Sequence, residues 1–116
     1  MGKASLAYGR GKIINAAALY NTLALDGVWL DFRDPEGCKE ETLYVKTMGF
    51  KGRFAIHPDQ IKPIHDAYRP TPEELEWAKG VLEEAKTAGS GAFKYQGKMV
   101  DAPVLAVARL IISRED

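Results

Sequence analysis

The stretch "LDGVWLDFRDPEG", residues 25–37, decides the fold. Its first part is short, rich in β-branched and aromatic residues and preceded by glycine. Residues Val28 to Phe32 therefore read as a buried strand. Asp34 then stands where a helix N-cap belongs, and Pro35 where the first helical residue belongs. A helix is expected to run to about Met48, with Leu43, Tyr44 and Met48 on its buried side. Gly49 ends it in the left-handed region, and Phe50 packs back on the last turn.

Moving towards the C-terminus, "GFKGRFAIHPDQI" (49–61) repeats this logic. Phe54 to Ile56 read as a short apolar strand that Pro58 breaks, with Asp59 as the cap of a helix fading near Tyr68. A helix from about Ser5 to Leu23 comes before both, with Leu6, Ile13, Ala17 and Tyr20 on its apolar stripe. Strands alternating with helices predict parallel pairing through helical crossovers. Beyond residue 70 the pattern changes. Thr71, Pro72 and Glu74 spell a capping box, and Leu75, Ala78, Val81, Leu82 and Ala85 form one helical stripe ended by Gly89-Ser90-Gly91. Phe93, Tyr95 and Met99 alternate around Gln96-Gly97 as a small hairpin. A last helix is expected from Ala102 to about Ser113, with Asp101 as its cap. Two parallel strands are too few for a stable sheet. The class is therefore α/β, and the chain reads as the tail of a larger barrel or open sheet.

The bulk properties mainly exclude. The chain has 116 residues with 46% hydrophobic and 28% charged content, normal for a globular domain. Its formal net charge is zero, so nothing in the composition points to nucleic acid or a membrane surface. No apolar run approaches the roughly 18 residues of a membrane span. The opening "MGKASLAYGRG" has no apolar signal core. A single cysteine, Cys38, excludes an internal disulfide and clustered-cysteine zinc sites, and fits a reducing, intracellular home. It reads as exposed and without triad partners, hence not a nucleophile.

Four segments taken in order, "DGVWLDFRDPEG", "GFKGRFAIHPDQI", "PTPEELEWA" and "GAFKYQGKMVDAP", resemble the C-terminal part of the citrate lyase β-subunit-like proteins. These belong to the HpcH/HpaI aldolase superfamily, with the malyl-CoA and citramalyl-CoA lyases. The resemblance runs from about Tyr8 through Asp101 and beyond. It implies the C-terminal part of a (β/α)₈ TIM barrel: residues 1–70 supply strands seven (Val28–Phe32) and eight (Phe54–Ile56), and residues 71–116 a helical and hairpin lid that serves oligomerisation. It also implies a Mg²⁺-dependent carbon–carbon lyase that turns a β-hydroxy acyl-CoA of citramalyl or malyl type into acetyl-CoA and a 2-keto acid. The ion polarises substrate oxygens. Its ligands are expected upstream, so residues 1–116 alone lack the metal site and are expected to be inactive. The implied partners are an acyl-thioester and further copies of the chain, commonly in a trimer, in the cytoplasm or, in a eukaryote, the mitochondrial matrix. Three alternatives stay open: a citrate lyase β subunit acting on a citryl thioester of acyl carrier protein, a malyl-CoA thioesterase, and a purely structural or oligomerisation segment.

The candidate site residues carry two readings each. By spacing Asp101 is a helix cap; by resemblance it is the acid/base of the lid, delivered to a neighbouring subunit and able to move a proton at the acetyl α-carbon. By spacing Phe54, Ala55 and Ile56 are buried packing; by resemblance their strand end takes the coenzyme A portion. His57 suits general-base chemistry, yet before Pro58 a structural hydrogen bond serves as well. His65 reads as surface, and Trp29 and Trp77 as core or interface. Asp26 and Asp31 bracket the expected strand, Asp31 in a structural role with loop amides or an arginine. "GRGK" (9–12) lacks the Walker spacing and reads as helix surface. No His, Asp or Glu pair shows metal-ligand spacing.

Overall fold

The computed structural model describes residues 2–89 and 91–115. The chain divides into two compact units, Met1–Tyr68 and Arg69–Asp116.

In the first unit, helix α1 (Lys3–Leu19) precedes strand β1 (Leu25–Asp26), helix α2 (Pro35–Met48), strand β2 (Gly52–Arg53), a 3₁₀ turn (Pro58–Gln60) and helix α3 (Ile61–Tyr68). The strands pair in parallel, Leu25 with Gly52 and Asp26 with Arg53, with α2 as the crossover. Helix α1 stops because Asn21 adopts a left-handed backbone, φ 50°. The Thr22 N–H then reaches the Ala17 carbonyl, and the Asn21 N–H that of Ala18, which makes a Schellman ending. Gly49 ends α2 the same way with φ 117°, as expected, and Phe50 is buried against Val45 and Ala17. Asp34 accepts the Gly37 N–H at 3.0 Å, the expected cap.

Both strands sit earlier than the apolar runs suggest. Residues 28–32 are not a buried strand: Leu30 is 80% exposed, and Val28 and Phe32 are exposed too. Phe54–Ile56 are likewise exposed and irregular. The ladder ends with the Phe54 N–H on the Asp26 carbonyl. Beyond it the Gly27 carbonyl is taken by Arg53 and the Ile56 N–H by Gln60, so side chains occupy the groups a ladder would use. The 3₁₀ turn is capped by His57, not Asp59: its Nδ1 accepts the Asp59 N–H at 3.2 Å. The buried face of α2 is Cys38, Thr42 and Val45, while Leu43 is exposed. Cys38 is fully buried, contrary to the exposed position expected.

In the second unit, helix α4 (Pro72–Ala88), the hairpin β3 (Phe93–Tyr95) and β4 (Lys98–Val100), and helix α5 (Ala102–Ser113) follow the sequence closely. The capping box is complete: Thr71 Oγ1 accepts the Glu74 N–H at 3.1 Å, and Glu74 Oε2 accepts the Thr71 N–H at 2.9 Å. Gln96 and Gly97 both have positive φ, the turn that suits a two-residue hairpin. Ala78, Val81, Val100 and Ala108 form the core, flanked by Trp77, Leu82, Phe93 and Leu105. Gly80 is required by close approach, since any Cβ there would fall on the Tyr95 hydroxyl. Ser90, in the expected helix end, lies outside the described residues.

Candidate functional site

Parallel strands send their following loops to the same end of the sheet. The loops after β1 (27–34) and after β2 (54–57) therefore lie side by side. They carry exposed apolar groups: Leu30, Phe32, Phe54 and Ile56. Phe32 stacks on His57 with centroids 4.4 Å apart and ring planes 17° from parallel, and the Arg33 guanidinium lies 5.4 Å from the Phe32 ring centre. His57 thus makes the structural hydrogen bond named as one of its readings. Asp31 accepts the Arg33 N–H at 3.1 Å, the loop-amide role expected of it. His65 is exposed, as expected. Gln60, 1% exposed, bridges the two loops, donating to the Trp29 carbonyl at 2.6 Å and accepting from the Ile56 N–H at 2.9 Å.

Beneath the β1 loop lies a cluster of four charges, Arg10, Asp26 and Arg53 buried and Glu41 partly buried. Arg10 Nη2 donates to Asp26 Oδ2 at 3.0 Å and to Glu41 Oε1 at 3.1 Å. Arg53 Nη2 donates to the same carboxylates at 3.2 and 3.1 Å. Arg53 also reaches the Gly27 carbonyl at 3.0 Å and the Thr42 hydroxyl at 3.3 Å. One residue each from α1, β1, α2 and β2 is joined here. Two cations balance two anions, so no charge is left uncompensated. Burial acts to lower the Arg10 pKa, but its hydrogen bonds to Asp26 and Glu41 outweigh that and hold the guanidinium above its ordinary value. Arg10 is thus not the helix surface that "GRGK" suggests. The cluster floors a mostly apolar cleft of about 770 Å³ whose walls include Leu6, Ile13, Trp29 and Leu30. Burial also pushes the Cys38 thiol up, against the lowering effect of Arg53, which keeps it neutral and inert.

Sequence reasoning missed Arg10, Asp26, Glu41 and Arg53 as a connected cluster, and Gln60 as the bridge between the two loops. Two signals were present. Arg10 lies in helical register with the inward-facing Leu6, Ile14 and Ala17. Gln60 is in register with the buried Ile64 and Ala67.

Asp101 is in the second unit, exposed, between the buried Val100 and the start of α5. Its Oδ1 accepts the Val104 N–H at 3.3 Å. The cap reading is therefore met. Among the described residues no group of three or more His, Cys, Asp or Glu side chains is placed to hold a metal ion. Asp26 and Glu41 share one site, but both already accept from two guanidiniums, and a cation there would have to displace an arginine. The described residues do not fit a magnesium centre. Among them, too, no helix is long and apolar enough to cross a membrane.

Residues 11–115 match the family model of carbon–carbon bond lyases of the TIM-barrel fold. The chain belongs to this family. The family resemblance read from the sequence is borne out. The chain is 38% identical over 109 residues to the mitochondrial citramalyl-CoA lyase of Rattus norvegicus, covering 91% of this chain and 32% of that protein. It is 38% identical over 114 residues to the citrate lyase subunit beta of Escherichia coli strain K12, covering 96% of this chain and 38% of that one. Among solved structures, the protein CitE from Mycobacterium tuberculosis, in complex with magnesium, acetoacetate and coenzyme A, superposes with a TM-score of 0.83 at 39% identity. That match covers 98% of this chain and 42% of CitE. This lyase-family chain thus spans about a third of the length of the curated relatives it matches.

Proposed function

We propose that the chain is the C-terminal part of a TIM-barrel carbon–carbon lyase acting on a β-hydroxy acyl-CoA of citramalyl or malyl type. The observation that carries this reading is the match to citramalyl-CoA lyase across 91% of the chain. Strands β1 and β2 serve as strands seven and eight, and residues 71–116 as the lid and oligomerisation extension. Their loops lie at the C-terminal strand ends, where TIM barrels keep their active sites. Exposed Phe54, Ala55 and Ile56 take the coenzyme A portion of the thioester. Magnesium, present in the CitE complex, is held by residues outside this chain.

Asp101 acts as the acid/base, reaching the site of a neighbouring copy in a homotrimer, in the cytoplasm or the mitochondrial matrix. In the cleavage direction the substrate hydroxyl passes its proton to the Asp101 carboxylate, the bond between the carbinol carbon and the α-carbon breaks, and the electron pair passes into the thioester enolate. Asp101 then supplies the proton that turns this enolate into acetyl-CoA, leaving a 2-keto acid. Its exposure on the lid suits delivery to a site formed elsewhere. The equal identity to citrate lyase subunit beta favours a second reading, a citryl thioester of acyl carrier protein as substrate. The test is an assay of the complete polypeptide that carries this chain against malyl-, citramalyl- and citryl-thioesters. Release of acetyl-CoA and a 2-keto acid from a malyl- or citramalyl-thioester is expected. Turnover of citryl thioester alone supports the second reading, and turnover of none contradicts both.

A further inference from the structure

The β1–β2 backbone ladder stops at Asp26 and Arg53, yet the chains that leave it stay together. Arg53 reaches the Gly27 carbonyl and Phe32 stacks on His57, and between them a single side-chain amide hydrogen-bonds to both loops. Gln60 is 1% exposed, and its amide spans the gap, Nε2 donating to the Trp29 carbonyl at 2.6 Å and Oε1 accepting from the Ile56 N–H at 2.9 Å. A primary amide donates from one end and accepts at the other, so it fixes both loops at once. What it fixes is a surface of exposed groups: Leu30 and Phe32 on one loop, Phe54 and Ile56 on the other. His57, stacked on Phe32 and bonded to the Asp59 N–H, follows directly after the held Ile56.

We propose that Gln60 is a positioning residue for thioester binding. It sets the distance between the two loops so that Phe54–Ile56 meet the coenzyme A portion in one arrangement. This rests on the reading of Phe54–Ile56 under Proposed function. Gln60 touches no reacting atom, so its loss weakens binding of substrate and transition state alike and raises KM rather than lowering kcat.

The test compares Gln60→Met, which keeps length but loses both hydrogen bonds, and Gln60→Glu, which keeps only the acceptor for Ile56. Both are made in the complete polypeptide that carries this chain. Val45→Ala, a fully buried core position outside the loops, is the control for general destabilisation. The expected result is a KM for the thioester raised about tenfold or more in Gln60→Met, with kcat within about threefold. Gln60→Glu is expected to fall between it and wild type, and Val45→Ala to lower Tm without moving KM. An unchanged KM in Gln60→Met, or the same KM shift in Val45→Ala, overturns the proposal. If no thioester is turned over at all, the functional reading fails, and Gln60 is judged on equilibrium binding of coenzyme A. Binding about tenfold weaker in Gln60→Met supports the proposal. Equal binding, or none by wild type, overturns it.

Discussion

In the Met1–Tyr68 unit the parallel ladder is only two residue pairs long, and four charges from four different elements, three of them buried, tie it down. In the Arg69–Asp116 unit α4 and α5 meet along an apolar seam centred on Ala78, Val81 and Ala108. The first arrangement is specific and brittle: each charge is tolerable only while its partners stay. The second is graded, since each apolar contact contributes independently and approximately in proportion to the area it buries. The difference also separates two kinds of work. The charge-tied unit holds loops at fixed spacing, and the apolar unit presents Asp101, exposed, at the start of α5.

Each unit has its own reporter, Trp29 in the first and Trp77 in the second. Fluorescence-monitored denaturation in Trp77→Phe or Trp29→Phe backgrounds can therefore break or sharpen the contrast. The largest effect is expected from Arg53→Met, which leaves Asp26 and Glu41 sharing one buried guanidinium. It should cost the first unit about 3–5 kcal/mol, while the Trp77 transition stays in place. A loss under about 1 kcal/mol would show that the cluster is not what holds the ladder. Thr71→Ala removes a local cap and should cost the second unit only about 1 kcal/mol, leaving the Trp29 transition unmoved.

The smallest effect concerns Cys38. Its thiol pKa is raised above the ordinary 9.0 by burial, so its contribution to stability is full below that value and is lost as pH rises through the folded-state pKa. Cys38→Ala should flatten the fall in first-unit stability above about pH 9. Parallel curves for the two proteins would show that this thiol ionises equally in both states.

The same contrast explains what could be read from the sequence. Gly49, Thr71 with Glu74, and Asp101 were legible because each bonds to groups only three or four residues away. The charge cluster was not. Its partners lie 12 to 31 residues apart, and an isolated Arg or Glu normally reads as solvated surface. The strands were displaced for a related reason. The apolar runs 28–32 and 54–56 have strand composition, but side chains of Arg53 and Gln60 take the backbone groups a ladder would use. Of the candidate site, the cap at Asp101 follows from spacing alone, whereas the acid/base role proposed for it came only from the family resemblance. The Gln60 clamp becomes visible only once two loops distant in sequence are seen side by side.

The proposed proton-transfer role of the second unit rests on Asp101. Asparagine caps a helix about as well as aspartate, so Asp101→Asn separates the cap from the acid. In the complete polypeptide, kcat for the thioester is expected to fall by at least about 10²-fold with an unchanged Trp77 unfolding midpoint. A kcat within about threefold of wild type would contradict the account.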